Sequence, residues 1–305
     1  LILAFSVLII LIVLFVIRNK PTVTYISKVP YTINKSGRYE LVKNLDCSEK
    51  ILSPCITINA DNVTLDLKGF KVFTSNQDLN RTTYGIWSQE HSHVTITNGE
   101  VEGFFMGILL QDVSHDEDYY PEFGFHEISN ISVKDNTFRG IRVEGLNNTV
   151  TNNIVANTGG TTVFEDAFSI GIESIGSNCL IENNRIVETY ATNNGESVGI
   201  SLTSSGDSQI LNNFILNTND PLYDSWGIWA SGITGPYVFN NTIVGYKHGI
   251  GFASDAKGLF DNNIIYGAEI PVEFMSKMVI DGGNNRAITK NAIEFSDILI
   301  NTIDE

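Results

Sequence analysis

The sequence is poor in basic residues. Its 305 residues include 19 lysines and arginines against 35 aspartates and glutamates, which gives a formal net charge of −16 at pH 7. Non-specific nucleic-acid binding depends on neutralising phosphates with Lys and Arg, so the composition argues against a nucleic-acid partner. It also disfavours direct binding to anionic lipid or polyanionic glycans unless a cation bridges the charges. Neutral or cation-loaded partners fit better.

Cysteine is scarce as well. Cys47 and Cys55 lie eight positions apart and could form one disulfide bond, whereas Cys179 falls in a segment that we expect to be a buried strand. Three buried thiols are an equally good interpretation of the sequence. No Cys/His spacing typical of a metal site is present, and metal ligands are therefore left unassigned.

Only the start of the chain carries a long hydrophobic run. Residues 1–17 read LILAFSVLIILIVLFVI without a charge, and a helix of that length reaches about 26 Å at about 1.5 Å per residue. This is the short end of a membrane span. We predict that residues 1–20 form an N-terminal transmembrane anchor and that the folded part lies outside the cytoplasm, at the cell surface or in the periplasm. A cleaved signal peptide and a pilin-like helix that drives filament assembly are the alternatives.

Helical periodicity is absent after residue 20, and a repeat takes its place. A Gly-Ile pair followed by a short strand-like segment recurs about every 22 to 33 residues, as in YGIWSQ, MGILLQ and RGIRVE. Short strands at a fixed period predict a solenoid, in which each unit buries its apolar face only against its neighbours. The glycines of the repeat are Gly85, Gly107, Gly140, Gly171, Gly199, Gly227 and Gly249.

Asparagine-containing turns keep step with the Gly-Ile repeat. They lie between two short apolar strands, as in LIENNRIV and VFNNTIV. Asparagines at one turn of successive coils can stack and hydrogen-bond along the solenoid axis, and we predict this structural role for them. The predicted turn asparagines are Asn98, Asn136, Asn184, Asn213, Asn241 and Asn263.

These patterns resemble the right-handed parallel β-helix proteins of the pectin-lyase-like superfamily. The resemblance rests on SGRYELVKNL and ITINADNVTLDLKGFKV within 36–72, on VTITNGEVEGFFMGILL at 94–110, and on the repeated NN-x-I turns. It implies an all-β, right-handed parallel β-helix of about eight or nine coils. We predict a linker and N-terminal cap at 21–45, the β-helix at 46–287, and a C-terminal cap or truncated end at 288–305.

The resemblance implies a polysaccharide-binding groove along the outer face of the first sheet, which the Gly-Ile strands would form. Because side chains alternate across a strand, the residue after each Ile should point outward. That row contains Arg142 and Glu173 between Trp87 and Trp229. Two interpretations stay open: a sugar-binding surface, and a solvated face on which Arg142 and Glu173 form an ion pair.

The candidate catalytic residues are acids and one base beside this groove. Glu144 and Glu173 differ by one coil and two residues, which predicts a separation of about 8 Å, within the range of about 6.5–9.5 Å used by inverting glycosidases. Arg142 resembles the Arg or Lys base of lyases with this fold, and Asp166 lies in the inserted loop at 158–169. We also predict calcium as an optional cofactor, because such loop acids can bind it, as can the acidic loop at 112–127. No subfamily's catalytic set is present intact.

The candidate substrate-binding residues are the two exposed tryptophans, two residues of the loop at 217–225, and a histidine directly before the last Gly-Ile glycine: Trp87, Trp229, Tyr223, Asp224 and His248. Together these features predict a membrane-anchored, extracytoplasmic β-helix that binds and processes polysaccharide as a lyase or glycoside hydrolase. The alternative is a non-catalytic surface, adhesion or filament protein that assembles through its N-terminal helix. A role in periplasmic metal maturation is a third interpretation, which the low content of Met, Cys and His disfavours.

Overall fold

The computed structural model describes residues 22–48, 54–112, 123–192, 194–204, 206–218, 224–232 and 235–288. All regular structure in these segments is β-strand, paired in parallel into two sheets. The predicted transmembrane helix lies outside the described residues, as does all of the predicted C-terminal cap except its first residue. Within the described segments, no helix is long and apolar enough to cross a membrane.

The Gly-Ile segments build the first sheet. All seven are strands, and the ladder aligns their isoleucines in one row from Ile86 to Ile250. Three strands without the Gly-Ile pair extend the sheet at its ends, so the described residues contain ten strands rather than the eight or nine coils predicted. They are Tyr31–Ile33, Ile56–Ile58, Tyr84–Gln89, Met106–Gln111, Arg139–Glu144, Ser169–Ile175, Ser197–Ser204, Ser225–Gly232, His248–Phe252 and Ile270–Phe274.

The other strands of each coil form a second sheet of 19 described strands. The two strands of each coil belong to one sheet because two long strands span both positions. Val94–Glu102 pairs with both Val63–Asp66 and Lys71–Phe73, and Glu127–Lys134 pairs with both Thr149–Thr151 and Ile154–Gly159. The strands are Val23–Ile26, Gly37–Leu41, Leu45–Asp46, Val63–Asp66, Lys71–Phe73, Val94–Glu102, Glu127–Lys134, Thr149–Thr151, Ile154–Gly159, Leu180–Glu182, Arg185–Tyr190, Gln209–Leu211, Phe214–Leu216, Tyr237–Phe239, Thr242–Val244, Leu259–Asp261, Ile264–Tyr266, Ile280–Asp281 and Arg286–Ile288.

Strand pairing begins upstream of residue 46, where we predicted the solenoid to start. Val23–Ile26 pairs with Gly37–Leu41, and Tyr31–Ile33 pairs with Ile56–Ile58 of the first sheet. The segment predicted as a linker and cap therefore already contributes strands to both sheets.

Rows of inward-facing aliphatic side chains fill the solenoid. Ile86, Ile141 and Ile228 of the first sheet are completely buried, as are Val155 and Ile243 of the second. Burying each such side chain contributes about 1.5–3 kcal/mol. Because every coil repeats these positions, one continuous core runs along the axis.

The predicted asparagine ladder is present. Asn184 Nδ2 donates to Asn213 Oδ1 at 3.1 Å, and Asn213 Nδ2 donates to Asn241 Oδ1 at 3.0 Å. The residue before each ladder asparagine up to Asn263 is another Asn with a positive φ, for example 55° at Asn212, a conformation that Asn tolerates well. Among the described residues the ladder consists of Asn153, Asn184, Asn213, Asn241, Asn263 and Asn285.

The assignment of Asn98 and Asn136 to this ladder is wrong. Asn98 is exposed, and its Nδ2 lies 3.3 Å from Asp66 Oδ1. Asn136 is buried at a different turn, where its Oδ1 accepts a hydrogen bond from Phe104 N at 2.9 Å just before the next first-sheet strand. Both coils carry long second-sheet strands, so the turn that holds the ladder elsewhere is replaced there.

The two early cysteines form a disulfide bond, Cys47–Cys55, with a Cα–Cα distance of 5.8 Å. This resolves the open choice between a disulfide and three thiols. Cys179 is a buried free thiol whose pKa is raised by burial. A disulfide of this kind persists in oxidising compartments outside the cytoplasm.

His126 is a buried, neutral histidine at the start of a second-sheet strand. Only 2% of it is exposed, and its Nδ1 accepts a hydrogen bond from Val94 N at 3.3 Å. Burial lowers the pKa of His126 to about 4. The ring stays neutral in the fold at pH values where an unfolded chain would protonate it.

We expect the stability contributed by His126 to fall as the pH drops from 7.5 to 5. Between its unfolded pKa of about 6.5 and its folded pKa of about 4 the unfolded chain binds the extra proton, which favours unfolding by about 2 kcal/mol at pH 5. Urea unfolding at both pH values should show that His126→Gln loses this pH dependence, whereas His91→Gln, at a partly exposed position, keeps it. Equal pH dependence in wild type and His126→Gln would contradict the prediction.

Candidate functional site

Three rows of side chains face outward on the first sheet. Two were predicted: the row after each isoleucine, with Arg142 and Glu173, and the row two residues further along, with Glu144. The third row was not predicted; it stands directly before the glycines and includes Arg139, Trp226 and His248. It faces outward because the glycine, like the isoleucine after it, faces the interior: a Cβ on Gly227 would lie 2.3 Å from Ile243 Cγ2. The residues on both sides of each Gly-Ile pair therefore share the outer face.

Four charged side chains form one ion-pair network at the centre of this face. Glu173 Oε2 accepts from Arg139 Nε at 2.7 Å and from Arg142 Nη1 at 3.0 Å. Arg142 Nε donates to Glu144 Oε1 at 2.6 Å, and the backbone N–H of Asp112 donates to Glu144 Oε2 at 3.1 Å. Arg139 also donates to the carbonyl oxygens of Phe138 and Phe168. We call Arg139, Arg142, Glu144 and Glu173 the charged network.

The charged network is largely removed from water. The side chains of Arg139 and Glu173 are 7% and 11% exposed. Burial raises the pKa of Glu144, although Arg142 opposes the shift, and burial lowers the pKa of Arg139. Burial also acts to lower the pKa of Arg142, but Glu173 and Glu144 outweigh it and hold that pKa above its usual range. Each charge thus depends on its neighbours for stabilisation.

An apolar cluster lies on one side of the charged network. Phe105, Met106 and Leu109 are buried there, and Trp87 packs against them half-buried. Phe164, from the inserted loop at 158–169, lies 5.3 Å from the Phe138 ring, whose own face is covered by the Arg139 guanidinium at 3.8 Å. Trp87 therefore presents only part of its ring to solvent.

An aromatic patch, which we define as Trp226, Trp229 and His248, lies on the other side. The Trp226 and His248 rings stack with centroids 3.8 Å apart, and Trp229 meets Trp226 edge-on at 4.8 Å. Trp226 is 7% exposed, whereas Trp229 is partly exposed. The patch thus offers one aromatic side chain to a ligand and supports it with two more.

Carboxylates surround the aromatic patch. His248 Nδ1 lies 2.8 Å from Glu273 Oε2, and His248 Nε2 lies 3.8 Å from Asp224 Oδ1. A hydrogen bond from Lys247 lowers the pKa of Asp224. Burial and the nearby Asp224 raise the pKa of Glu196, against the effect of a hydrogen bond from Trp226. The patch therefore combines a ring surface with acids whose pKa values are shifted in opposite directions.

Inserted loops wall the outer face on the side where the chain enters it. Thr162 N donates to Leu79 O at 3.0 Å, and Thr192 Oγ1 donates to Thr161 O at 2.7 Å. Ser197 N donates to Asp224 O at 3.2 Å. These loops therefore contact one another in pairs and form a rim along this side of the outer face.

The structure brings the predicted site residues into separate groups. Arg142, Glu144 and Glu173 meet in the charged network, while Asp224 and His248 meet at the aromatic patch beside Trp229. Trp87 belongs to the apolar cluster. Asp166 is exposed on its loop and takes no part in the charged network, and Tyr223 lies outside the described residues.

Sequence reasoning missed Arg139, Trp226 and Glu196. The first two share the position directly before the glycine with His248, and aligning that position across the repeat would have found them. Glu196 precedes a Gly-Ile strand by a single residue but has no counterpart in the repeat. Nothing in the pattern distinguishes it.

The described segments contain no group of three or more His, Cys, Asp or Glu side chains that could hold a metal ion. The central part of the acidic loop at 112–127, one of the predicted calcium-binding candidates, lies outside these segments.

Comparison with known proteins gives a family and a fold. The family described as "NosD: Periplasmic copper-binding protein (NosD)" matches residues 48–246. No curated protein matches the sequence significantly.

Three solved structures with low sequence identity are similar to this chain. The GH136 lacto-N-biosidase from Eubacterium ramulus matches with a TM-score of 0.51 and 10% identity, over 90% of this chain and 64% of that one. Pectate lyase Pel9A matches with a TM-score of 0.48 and 14% identity, over 91% and 72%. The Dettilon tailspike protein matches with a TM-score of 0.39 and 12% identity, over 89% of this chain and 62% of the tailspike. At these identities the likeness to the biosidase concerns the fold alone.

Proposed function

Because this chain belongs to the NosD family of right-handed parallel β-helix proteins, we propose that it works outside the cytoplasm and binds a polysaccharide along the outer face of its first sheet. The periplasmic description of the family and the Cys47–Cys55 disulfide support the location. Anchoring through residues 1–17 is part of this proposal.

The aromatic patch is the observation that carries the binding proposal. Trp229 is partly exposed on a rigid sheet, Trp226 and His248 support it, and loop residue Asp224 keeps 46% of its side chain exposed beside it. Sugar rings offer apolar C–H faces and a rim of hydroxyls. A tryptophan with neighbouring carboxylates can stack on the former and accept hydrogen bonds from the latter.

Processing of the bound polymer is the second part of the proposal. Glu144 is the member of the predicted catalytic set best suited to hold a proton, because burial raises its pKa. Its partner Glu173 shares the Arg142 guanidinium with it, so a cation rather than a water molecule links the two carboxylates. This arrangement supports binding more directly than it supports hydrolysis by an inverting pair. Asp166 would have to act from its exposed loop.

The family description names copper, but the described segments contain no set of side chains suited to bind it. Cys47 and Cys55 are bonded to each other, Cys179 is buried, and the described segments hold no group of three or more metal-ligating side chains. The described residues therefore do not fit copper.

We expect Trp229→Ala to weaken polysaccharide binding about ten-fold, equivalent to about 1.4 kcal/mol, because stacking on the exposed ring is lost. Affinity electrophoresis of the full chain with a panel of neutral and acidic polysaccharides would measure it. Tyr237→Ala, a partly buried tyrosine of the second sheet, is the matched control and should bind as wild type does.

Incubating the full chain with the same polysaccharides and analysing the products by mass spectrometry shows whether the polymer is cleaved. Fragments that gain water would identify a hydrolase, and unsaturated fragments a lyase, with Glu144→Gln inactive in either case. If wild type binds no polysaccharide, or if Trp229→Ala binds as well as wild type, the proposal fails. The non-catalytic filament alternative would then predict filaments, visible by electron microscopy, that disappear when residues 1–17 are removed.

A further inference from the structure

A pocket of about 180 Å³ lies away from the outer face of the first sheet. It forms where strands of successive coils end: Glu102 closes Val94–Glu102, Asp135 follows Glu127–Lys134, and Tyr190 closes Arg185–Tyr190. The loop before Tyr84–Gln89 covers it with Gln77 and Arg81. None of its lining residues belongs to the charged network or to the aromatic patch.

Backbone contacts hold this pocket in shape. Leu79 O accepts from Thr162 N at 3.0 Å, which ties the covering loop to the loop at 158–169. Arg81 donates from Nη1 to Asp78 O at 2.9 Å and from Nη2 to Asp135 O at 2.9 Å. The covering loop is thus fixed to the rest of the fold at two points and braced within itself by the bond to Asp78 O, so the pocket is formed before any ligand arrives.

Arg81 is a buried arginine of this pocket whose guanidinium is incompletely paired. It is only 7% exposed, it makes no ion pair with any described residue, and burial lowers its pKa. Its Nε has no hydrogen-bond partner in the described part of the chain, and neither does the hydroxyl of Thr137, which also lines the pocket. Leaving buried polar groups unpartnered costs about 1–3 kcal/mol each.

The two carboxylates of the pocket already have one polar partner each. Lys71 Nζ lies 2.5 Å from Glu102 Oε2, and Asn157 Nδ2 donates to Asp135 Oδ1 at 3.0 Å. Each carboxylate retains further lone pairs for a ligand hydroxyl. Behind the wall, Lys71 also contacts Glu100, which in turn contacts Lys134. Three cations therefore stand against three anions at and behind the wall, and the pocket has no excess charge to attract an ion.

We propose that this pocket binds a single neutral sugar unit. Hydroxyl groups both donate and accept, so they can pair with Glu102 and Asp135 while accepting from Arg81. Tyr190, which is 36% exposed, offers a ring for the apolar side of the sugar. The volume is below the about 300–1,000 Å³ of pockets for drug-sized ligands, which suits one ring rather than a chain.

Neutral hexoses added one at a time to the full chain test the pocket. The chain is kept in a detergent without a sugar headgroup, and saturation-transfer NMR titrations with glucose, galactose, mannose and N-acetylglucosamine give dissociation constants. We expect saturable millimolar binding of at least one hexose. Tyr190→Ala should weaken it at least ten-fold and Gln77→Ala several-fold. Tyr266→Ala, at a partly buried strand end on a later coil, is the control and should leave it unchanged.

The result separates this pocket from the polysaccharide site. Trp229→Ala should lose polymer binding and keep hexose binding, and Tyr190→Ala should do the reverse. The proposal is overturned if no neutral hexose binds saturably, if galacturonate binds more tightly than every neutral hexose, or if Tyr190→Ala and Gln77→Ala bind as wild type does. Gln77 is exposed, so its replacement tests the pocket without risk to the fold.

Discussion

Glu173→Gln is expected to lower the free energy of unfolding by about 3–5 kcal/mol, because removing one partner of a buried ion pair leaves the other charge uncompensated. Glu173 is the sole carboxylate that the described ion pairs give to Arg139, and Arg142 uses it as well. Glutamine keeps the shape but supplies no charge. Urea unfolding at pH 7 measures the loss.

Two further variants identify the cause of that loss. Glu165→Gln removes a carboxylate from an exposed loop position and should change stability by less than about 0.5 kcal/mol. The double variant Arg139→Met with Glu173→Met should be more stable than either single variant, because it removes both buried charges together. If Glu173→Gln stays within about 1 kcal/mol of wild type, the charged network does not stabilise the outer face.

This energetic role affects how activity data on Glu173 should be interpreted. A glutamine variant that loses both stability and turnover says nothing about chemistry. Glu144 offers a cleaner comparison, because the Asp112 backbone N–H that donates to it can still pair with a glutamine side-chain oxygen. Activity assays on Glu144→Gln therefore need a stability measurement beside them before a catalytic role is assigned.

The repeat predicted the first sheet well because its periodicity is enforced by packing. A side chain at each Gly would clash with a residue of the second sheet, and each Ile fills the core. The same residue types are therefore required at these two positions in every coil. The register of Arg142 beside Glu173 followed directly. Their ion pair was one of the two interpretations left open, and the structure shows it at 3.0 Å.

Other features could not be read from the pattern because they depend on local backbone geometry. The outward direction of Arg139 and Trp226 requires two consecutive residues to face inward, which strict alternation does not allow. Asn98 and Asn136 follow apolar segments as the ladder asparagines do, but their strands run on through the position of the ladder turn. Which acid acquires a raised pKa, as Glu196 does, depends on loop packing.

We expect Asn213→Ala to destabilise the β-helix by about 3 kcal/mol, because it interrupts the asparagine ladder in the middle. Asn213 Oδ1 accepts from both Asn184 N, at 2.9 Å, and Asn184 Nδ2, at 3.1 Å. Its Nδ2 donates to Ile181 O at 3.0 Å and to Asn241 Oδ1 at 3.0 Å. Alanine leaves these buried partners unsatisfied, at about 1–3 kcal/mol for each group that finds no water. Urea unfolding of the full chain measures the effect.

Position along the ladder provides the control. Asn285→Ala removes the last rung, where the side chain is more exposed and water can replace the lost bonds to Asn263, so it should cost about 1 kcal/mol. Asn212→Gly keeps the positive φ of the turn and loses only an exposed bond to Glu182, so it should cost less still. Equal losses for Asn213→Ala and Asn285→Ala would show that the ladder residues act as independent turns. A graded loss indicates that buried rungs satisfy one another along the axis, so that the coils carrying the aromatic patch depend on those beneath them.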